Sequence, residues 1–473
     1  MISVIAKKEL KEIFRDGRFL IAAAAVLLLL STALLLGWRH YIEIAAERQQ
    51  AQRLSRRHWL NQGVKNPHSA AHFGVYAFKP RTPLSLIDHG LDPWTGVTVW
   101  LEAHKQNEFQ YKPAQDGVSL QRFGELTAAA TLQILLPLLI ILMAHSSLSG
   151  ERESGALRLL VSLGLRPATL VWGKFAGLSL AFALLIVPAV VLGVLALGLS
   201  SSPEILWKSL PRMGLLAITY VIYFVGLLAV CLAVSARAGR SQRALILLLG
   251  FWILNSIAAP RLAADLATAV APTPSAFEFQ HGIELALRGQ ADELDFHQLR
   301  TEKLKQQLLQ KYNVTRIEDL PGDFRGIALQ AGEDYGNQVF DRAYSNLWAA
   351  LFSQETIHYY LSAFAPLLAV RSLSMALAGT DLSHHVDFAK KAEEYRRLIQ
   401  RIMNDDITYG GARVRGVYVR GADLWTKVPE FRYAPPSVAW VLQQQWLPAL
   451  MLIAWAGAAV LGMLYATKHL PLD

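Results

Sequence analysis

Residues 19–38 read FLIAAAAVLLLLSTALLLGW, an unbroken run with no Asp, Glu, Lys or Arg. Bilayer hydrocarbon is about 30 Å thick, so a crossing helix needs about 17 to 25 apolar residues, and this run has that length. A charge near the centre of such a helix costs roughly 2.5–3.5 kcal/mol, which makes the missing charges the informative feature. Basic residues precede the run, as they do in a signal peptide. The apolar stretch exceeds an ordinary h-region, however, and Trp38, Arg39 and His40 follow it with no small-x-small site. It therefore reads as an uncleaved anchor.

Five further stretches have the same character: 126–148, 175–200, 213–236, 244–260 and 446–467. The chain of 473 residues is 53% apolar and only 18% charged, with a mean hydropathy of +0.28. That balance suits a membrane protein with substantial polar parts. The predicted fold is mainly α, a polytopic membrane protein with six transmembrane helices and two large extracytoplasmic insertions. Pro137, Pro188 and Pro448 fall inside spans, where they are tolerated and bend the helix. Cys231 is the single cysteine, which excludes a disulfide framework or a Cys-ligated metal site within one chain.

Orientation follows from Lys and Arg in the short loops. Residues 1–18 carry Lys7, Lys8, Lys11, Arg15 and Arg18; residues 149–174 carry Arg152, Arg158, Arg166 and Lys174; Arg237, Arg240 and Arg243 follow the fourth span. With six spans these clusters share one side, the cytoplasm, and both termini lie there. Most of the net charge of +9 sits in these pieces. It is a topology signal, and without a basic soluble domain no nucleic-acid partner is expected.

The long connections 39–125 and 261–445 then face outward. The first opens with a charged helical stretch, Tyr41 to Leu60, and becomes loop-like where Pro67, Pro80, Pro83, Pro93 and Pro113 recur. The second is mostly helical by period. Tyr359 to Leu377 is apolar enough for a further span, but Pro366 and Arg371 interrupt it, so a helix on the outer surface or packed on its neighbours is expected. Phe388 to Met403 reads as a solvated helix, and Ala412 to Arg420 as a short hairpin strand.

Two segments stand out at the cytoplasmic side. Residues 2–18 place Ile2, Ile5, Ala6, Leu10, Ile13 and Phe14 on one helical face with lysines around the other, suited to an interface of anionic lipid or to fixing topology. Residues 149–174 read SGERESGALRLLVSLGLRPATLVWGK. An acidic first turn, Glu151 and Glu153, favours a short helix by its dipole, and Gly164 and Pro167 turn the chain. Such a loop suits docking of a soluble protein; a bare connection is the plainer reading.

The run Glu151 to Leu160, the downstream Gly173-Lys174 and the charged helix before the first span resemble permease subunits of type-2 ABC transporters. The resemblance is to a subgroup with two large extracytoplasmic insertions, where Pro67 to Gly74 and Leu377 to Asp381 also match. It implies a coupling helix at about Gly150 to Leu163, seated in a separate cytoplasmic ATPase through Glu151, Arg152, Glu153, Gly155, Leu157 and Arg158. It further implies a connecting helix carrying Lys7, Lys8, Lys11 and Arg15, a second permease copy or related permease, a bacterial inner membrane, and export as the direction. Ala156 stands where family members often have Thr.

ATP and Mg²⁺ would bind the partner. No G-x-x-x-x-G-K-[ST] occurs in this chain, and Phe175 follows Gly173-Lys174, so the chain is expected to be no enzyme and to bind no cofactor. Gln133, Tyr220, Tyr223 and Asn255 are polar groups within spans that either line a pathway or bond between helices. His68 and His72 are four apart, as metal ligands on one helical face would be. No acidic or Cys partner lies at ligand spacing, so no metal is expected. The competing functional reading is a non-transporting relay that passes ATPase motion to periplasmic partners.

Overall fold

The computed structural model describes residues 1–116, 126–200, 202–288, 293–411 and 418–471; most of the expected strand over Ala412 to Arg420 lies outside them. Among the described residues, six helical segments are long and apolar enough to cross a membrane: Phe19–Leu60, Ala128–Glu153, Pro167–Ser200, Pro203–Arg237, Ser241–Val270 and Trp446–Lys468. The protein is a mainly α-helical, multi-pass membrane protein.

Helix α1 (Ile2–Arg15) is separated from α2 (Gly17–Leu60) by Asp16 alone. Nothing between Gly37 and Leu60 breaks a helix, so the charged stretch prolongs the first span instead of starting a new element. The result is one helix of 44 residues, about 66 Å long at 1.5 Å per residue. Gly37 is needed on it, because a Cβ there would lie 2.3 Å from the Leu86 carbonyl oxygen.

Beyond the spans, both insertions fold into one unit. The first is less loop-like than its prolines suggest: after α3 (Pro67–Phe73) come β1 (Val75–Phe78), β2 (Thr98–Leu101) and β3 (Gln106–Gln110), an antiparallel sheet in the order β1-β2-β3. Val75 pairs with Leu101 and Val99 with Phe109. Ala70, Val75, Val99 and Trp59 from this insertion pack with Phe388, Ile399, Met403 and Trp425 from the second in a single core. The indoles tie it together, Trp59 Nε1 donating to the Trp425 carbonyl and Trp425 Nε1 to the Gly63 carbonyl, each at 3.0 Å.

At the other end of the bundle, α4 (Leu136–Ala144) leads into two short helices, α5 (Ser149–Glu153) and α6 (Ala156–Ser162), and then α7 (Pro167–Ser200), α8 (Pro203–Arg237), α9 (Ser241–Ile253) and α10 (Ala259–Val270). The second insertion includes α11 (Phe324–Leu361), α12 (Pro366–Ala378) and α13 (Leu382–Tyr409), and α14 (Trp446–Lys468) closes the bundle. The expected solvated helix is instead largely buried within α13. Glu393 and Arg396 turn inward because they are paired: Arg396, 1% exposed, bonds both Glu393 oxygens at 2.8 Å and reaches Glu333 at 3.3 Å, while Glu394 and Arg401 stay exposed. The apolar stretch at 359–377 is split after Leu361. Pro366, which has no amide hydrogen to lose, opens α12, and α12 packs on α8 and α14 with only Arg371 and its neighbours turned outward.

Candidate coupling site

The segment between α4 and α7 is held by its own chain at every polar residue of the Glu-Arg-Glu run. Ser235 Oγ accepts from the amides of Leu148 and Ser149 at 3.0 and 3.2 Å. Arg152 reaches the C-terminal end of α8: its guanidinium donates to the carbonyls of Ala236 at 2.7 Å and Ala238 at 2.5 Å, and to that of Pro471 at 3.0 Å. A cation is favoured there by the unsatisfied carbonyls and the helix dipole. Glu153 does the converse at α9, accepting from the Ser241 amide at 2.9 Å and hydroxyl at 2.8 Å, as an acid at a helix start should.

Glu151 faces α1. Lys174 on α7 is 2% exposed, and its Nζ lies 2.5 Å from Glu9 and 2.8 Å from Glu151. Lys8 adds a second cation 3.4 Å from Glu151. Partial burial works against the Lys8 charge, yet Glu151, Glu12 and Glu9 hold its pKa above the usual lysine value. The packing that permits this is a glycine step on α7. A Cβ on Gly173 would come 2.6 Å from Ile5, and one on Gly177 would come 2.7 Å from Glu9. The face of α1 that docks is thus Ile5, Glu9 and Ile13, with an acid at its centre; the apolar face read from the sequence leaves Ile2 and Phe14 exposed. Lys7, Lys11 and Arg15 are exposed.

The segment is also not one helix. Gly155 takes φ +74°, a left-handed conformation open to glycine at little cost, and separates α5 from α6. Leu157 is fully buried, whereas Leu159 is 60% and Leu163 76% exposed, beside exposed Arg158 and Arg166. Of the residues read as coupling positions, Glu151, Arg152, Glu153 and Leu157 brace the loop, and the outward surface belongs to α6 and the residues after it. Glu9, Ser235 and Ser241 were not singled out from sequence; the signal for Glu9 was a lone lysine, Lys174, at the start of an otherwise uncharged span.

The four polar span residues lie elsewhere, buried and joined around α12. Gln133 sits in a π-helical turn, Thr131–Leu135, and Asn255 in another, Leu254–Ala258. Gln133 donates to the Tyr220 hydroxyl at 3.1 Å, which meets Ser374 Oγ at 3.1 Å, and Ser374 donates to Asp88 at 2.5 Å. Asn255 donates to the Tyr223 hydroxyl at 3.2 Å and accepts the Leu367 amide at 3.1 Å. Tyr220 also borders an otherwise apolar cavity of about 240 Å³ with Leu34, Val190 and Phe224. Arg212 closes the far end of α12, donating to the Pro436 and Leu377 carbonyls.

Residues 102–262, which include these loops and the four middle spans, match the model of the ABC-2 family transporter protein. Over those residues the chain is similar to the membrane module of ABC-2 type permeases. Residues 289–434 match a domain of unknown function, DUF3526. Over 133 residues the chain is 36% identical to a protein of Pseudomonas aeruginosa described as "Probable ABC transporter permease protein NosY". That alignment takes in 27% of this chain and 46% of the relative, so the match spans about half of the relative's length.

Proposed function

We propose that this chain is the membrane subunit of an ABC exporter, paired with a second permease, identical or related, and driven by a separate cytoplasmic ATPase that holds ATP and Mg²⁺. The observation that carries the reading is the pair of exposed leucines, Leu159 and Leu163, on a loop that Glu151, Arg152 and Glu153 lock to α1, α7, α8 and α9. Apolar side chains presented on a rigid support are what a docking surface needs. On this reading the loops and both termini are cytoplasmic, the lysines of α1 meet inner-membrane lipid, and the fused insertions are periplasmic and available to a partner there. The test is copurification with the cognate ATPase. Leu159→Asp with Leu163→Asp is expected to abolish the complex while the permease stays folded; an undiminished complex overturns the docking face.

A relay without transport has one observation in its favour: Gln133, Tyr220, Tyr223 and Asn255 are consumed by bonds inside the chain. Reconstituted vesicles separate the two. ATP-dependent movement of a solute supports export; conformational change in the insertions with no solute movement supports relay.

A further inference from the structure

The hairpin between β2 and β3 brings a third histidine to the pair on α3. Asn66 caps α3, its Oδ1 accepting the His68 amide at 2.9 Å, and this holds His68 and His72 on one face. Their Nε2 atoms are 3.3 Å apart. His104 occupies the hairpin turn at φ +67°, and its ring centroid lies 5.1 Å from that of His68 and 4.9 Å from that of His72. Candidate ligand nitrogens of all three fall within 4.8 Å of one another.

Glu333 on α11 fixes the third ring. Its Oε1 accepts from the His104 amide at 3.0 Å and stands 2.7 Å from His104 Nδ1. The carboxylate is 2% exposed and is itself held by Arg396. A proton on Nδ1 leaves the Nε2 lone pair of His104 available to a ligand. This carboxylate–imidazole pair is the usual outer support of a metal-bound histidine, which sets the tautomer and raises the ring's basicity. Zinc binds imidazole nitrogen at about 2.0–2.1 Å, so two ligands of a tetrahedral ion stand about 3.3–3.4 Å apart, the separation of His68 and His72.

We infer that His68, His72 and His104 form a three-nitrogen site for a borderline divalent cation, zinc or copper(II), with Glu333 as positioning residue. His72 and His104 are exposed, so a fourth coordination position opens to solvent. The site stands on the fused insertions and is independent of the ATPase surface.

The experiment uses the full chain in detergent, purified without a polyhistidine tag, with Zn²⁺ as the probe and Co²⁺ as its spectroscopic substitute. One Zn²⁺ per chain is expected after desalting, with an intense visible Co²⁺ spectrum of four-coordinate type. His72→Ala, an exposed change that spares the fold, is expected to lower affinity at least 100-fold and to remove the zinc-induced rise in melting temperature. Glu333→Gln is expected to weaken binding about 10- to 100-fold, whereas His281→Ala leaves it unchanged. Wild-type stoichiometry in His72→Ala and in His68→Ala, or no retained zinc in the parent chain, overturns the site.

Discussion

A lysine ammonium shut off from water is sustained by the carboxylates that meet it, and Lys174 has two. Removing one member of a buried ion cluster leaves the others uncompensated, which typically costs about 3–5 kcal/mol. Lys174→Met should therefore lower the melting temperature of the purified protein sharply, and adding Glu9→Gln with Glu151→Gln should restore most of it; no recovery in the triple variant would mean that packing, and not charge, dominates there. The chemistry of residues 149–160 was legible because an acidic turn followed by leucines between two spans is unusual. The direction each side chain faces was not. Arg152 and Glu153 find partners at Ala236, Ala238 and Ser241, 84 to 88 positions along the chain, and Arg152 another at Pro471, 319 positions along, distances no local pattern encodes. His104 was missed for the same reason, lying in a hairpin whose strands of four and five residues carry little periodic signal.

Among elements, the α1–α7 contact depends on absent side chains. Gly173→Val should push α1 off its seat and make residues 1–16 cleavable by protease while the spans remain intact; resistance equal to the parent would refute the contact. The spans were readable because charge-free runs of that length have few other uses. The helix α13 was misjudged because charged residues suggest solvent, and pairing of Arg396 with Glu393 and Glu333 is visible only in three dimensions. On α11, burial pushes the Glu355 carboxyl up to about 8, Asp381 adding to the shift and a bond from Tyr359 opposing it. A raised acid is bound to its proton in the folded state and loses it first in the unfolded one. Its contribution is thus complete below about pH 4.5 and declines as pH rises through about 8. Melting temperatures measured from about pH 5 to 8.5 should show this decline, and Glu355→Gln should flatten it.

At the scale of the whole molecule, the insertions share a core, so neither should unfold alone. Trp425→Ala removes a fully buried indole, a change worth about 3–5 kcal/mol. Limited proteolysis should then cut both insertions together, whereas cleavage confined to one would show two separate units. The same unit is carried by α2, whose membrane end begins one residue after α1 and the Lys174 cluster. A stiff rod of that length is a lever arm: a tilt of about 5° pivoting near Phe19 displaces Leu60 by about 5 Å. Movements too small to disturb the lipid seal would thus arrive at the histidine-bearing surface enlarged to the size of a side chain.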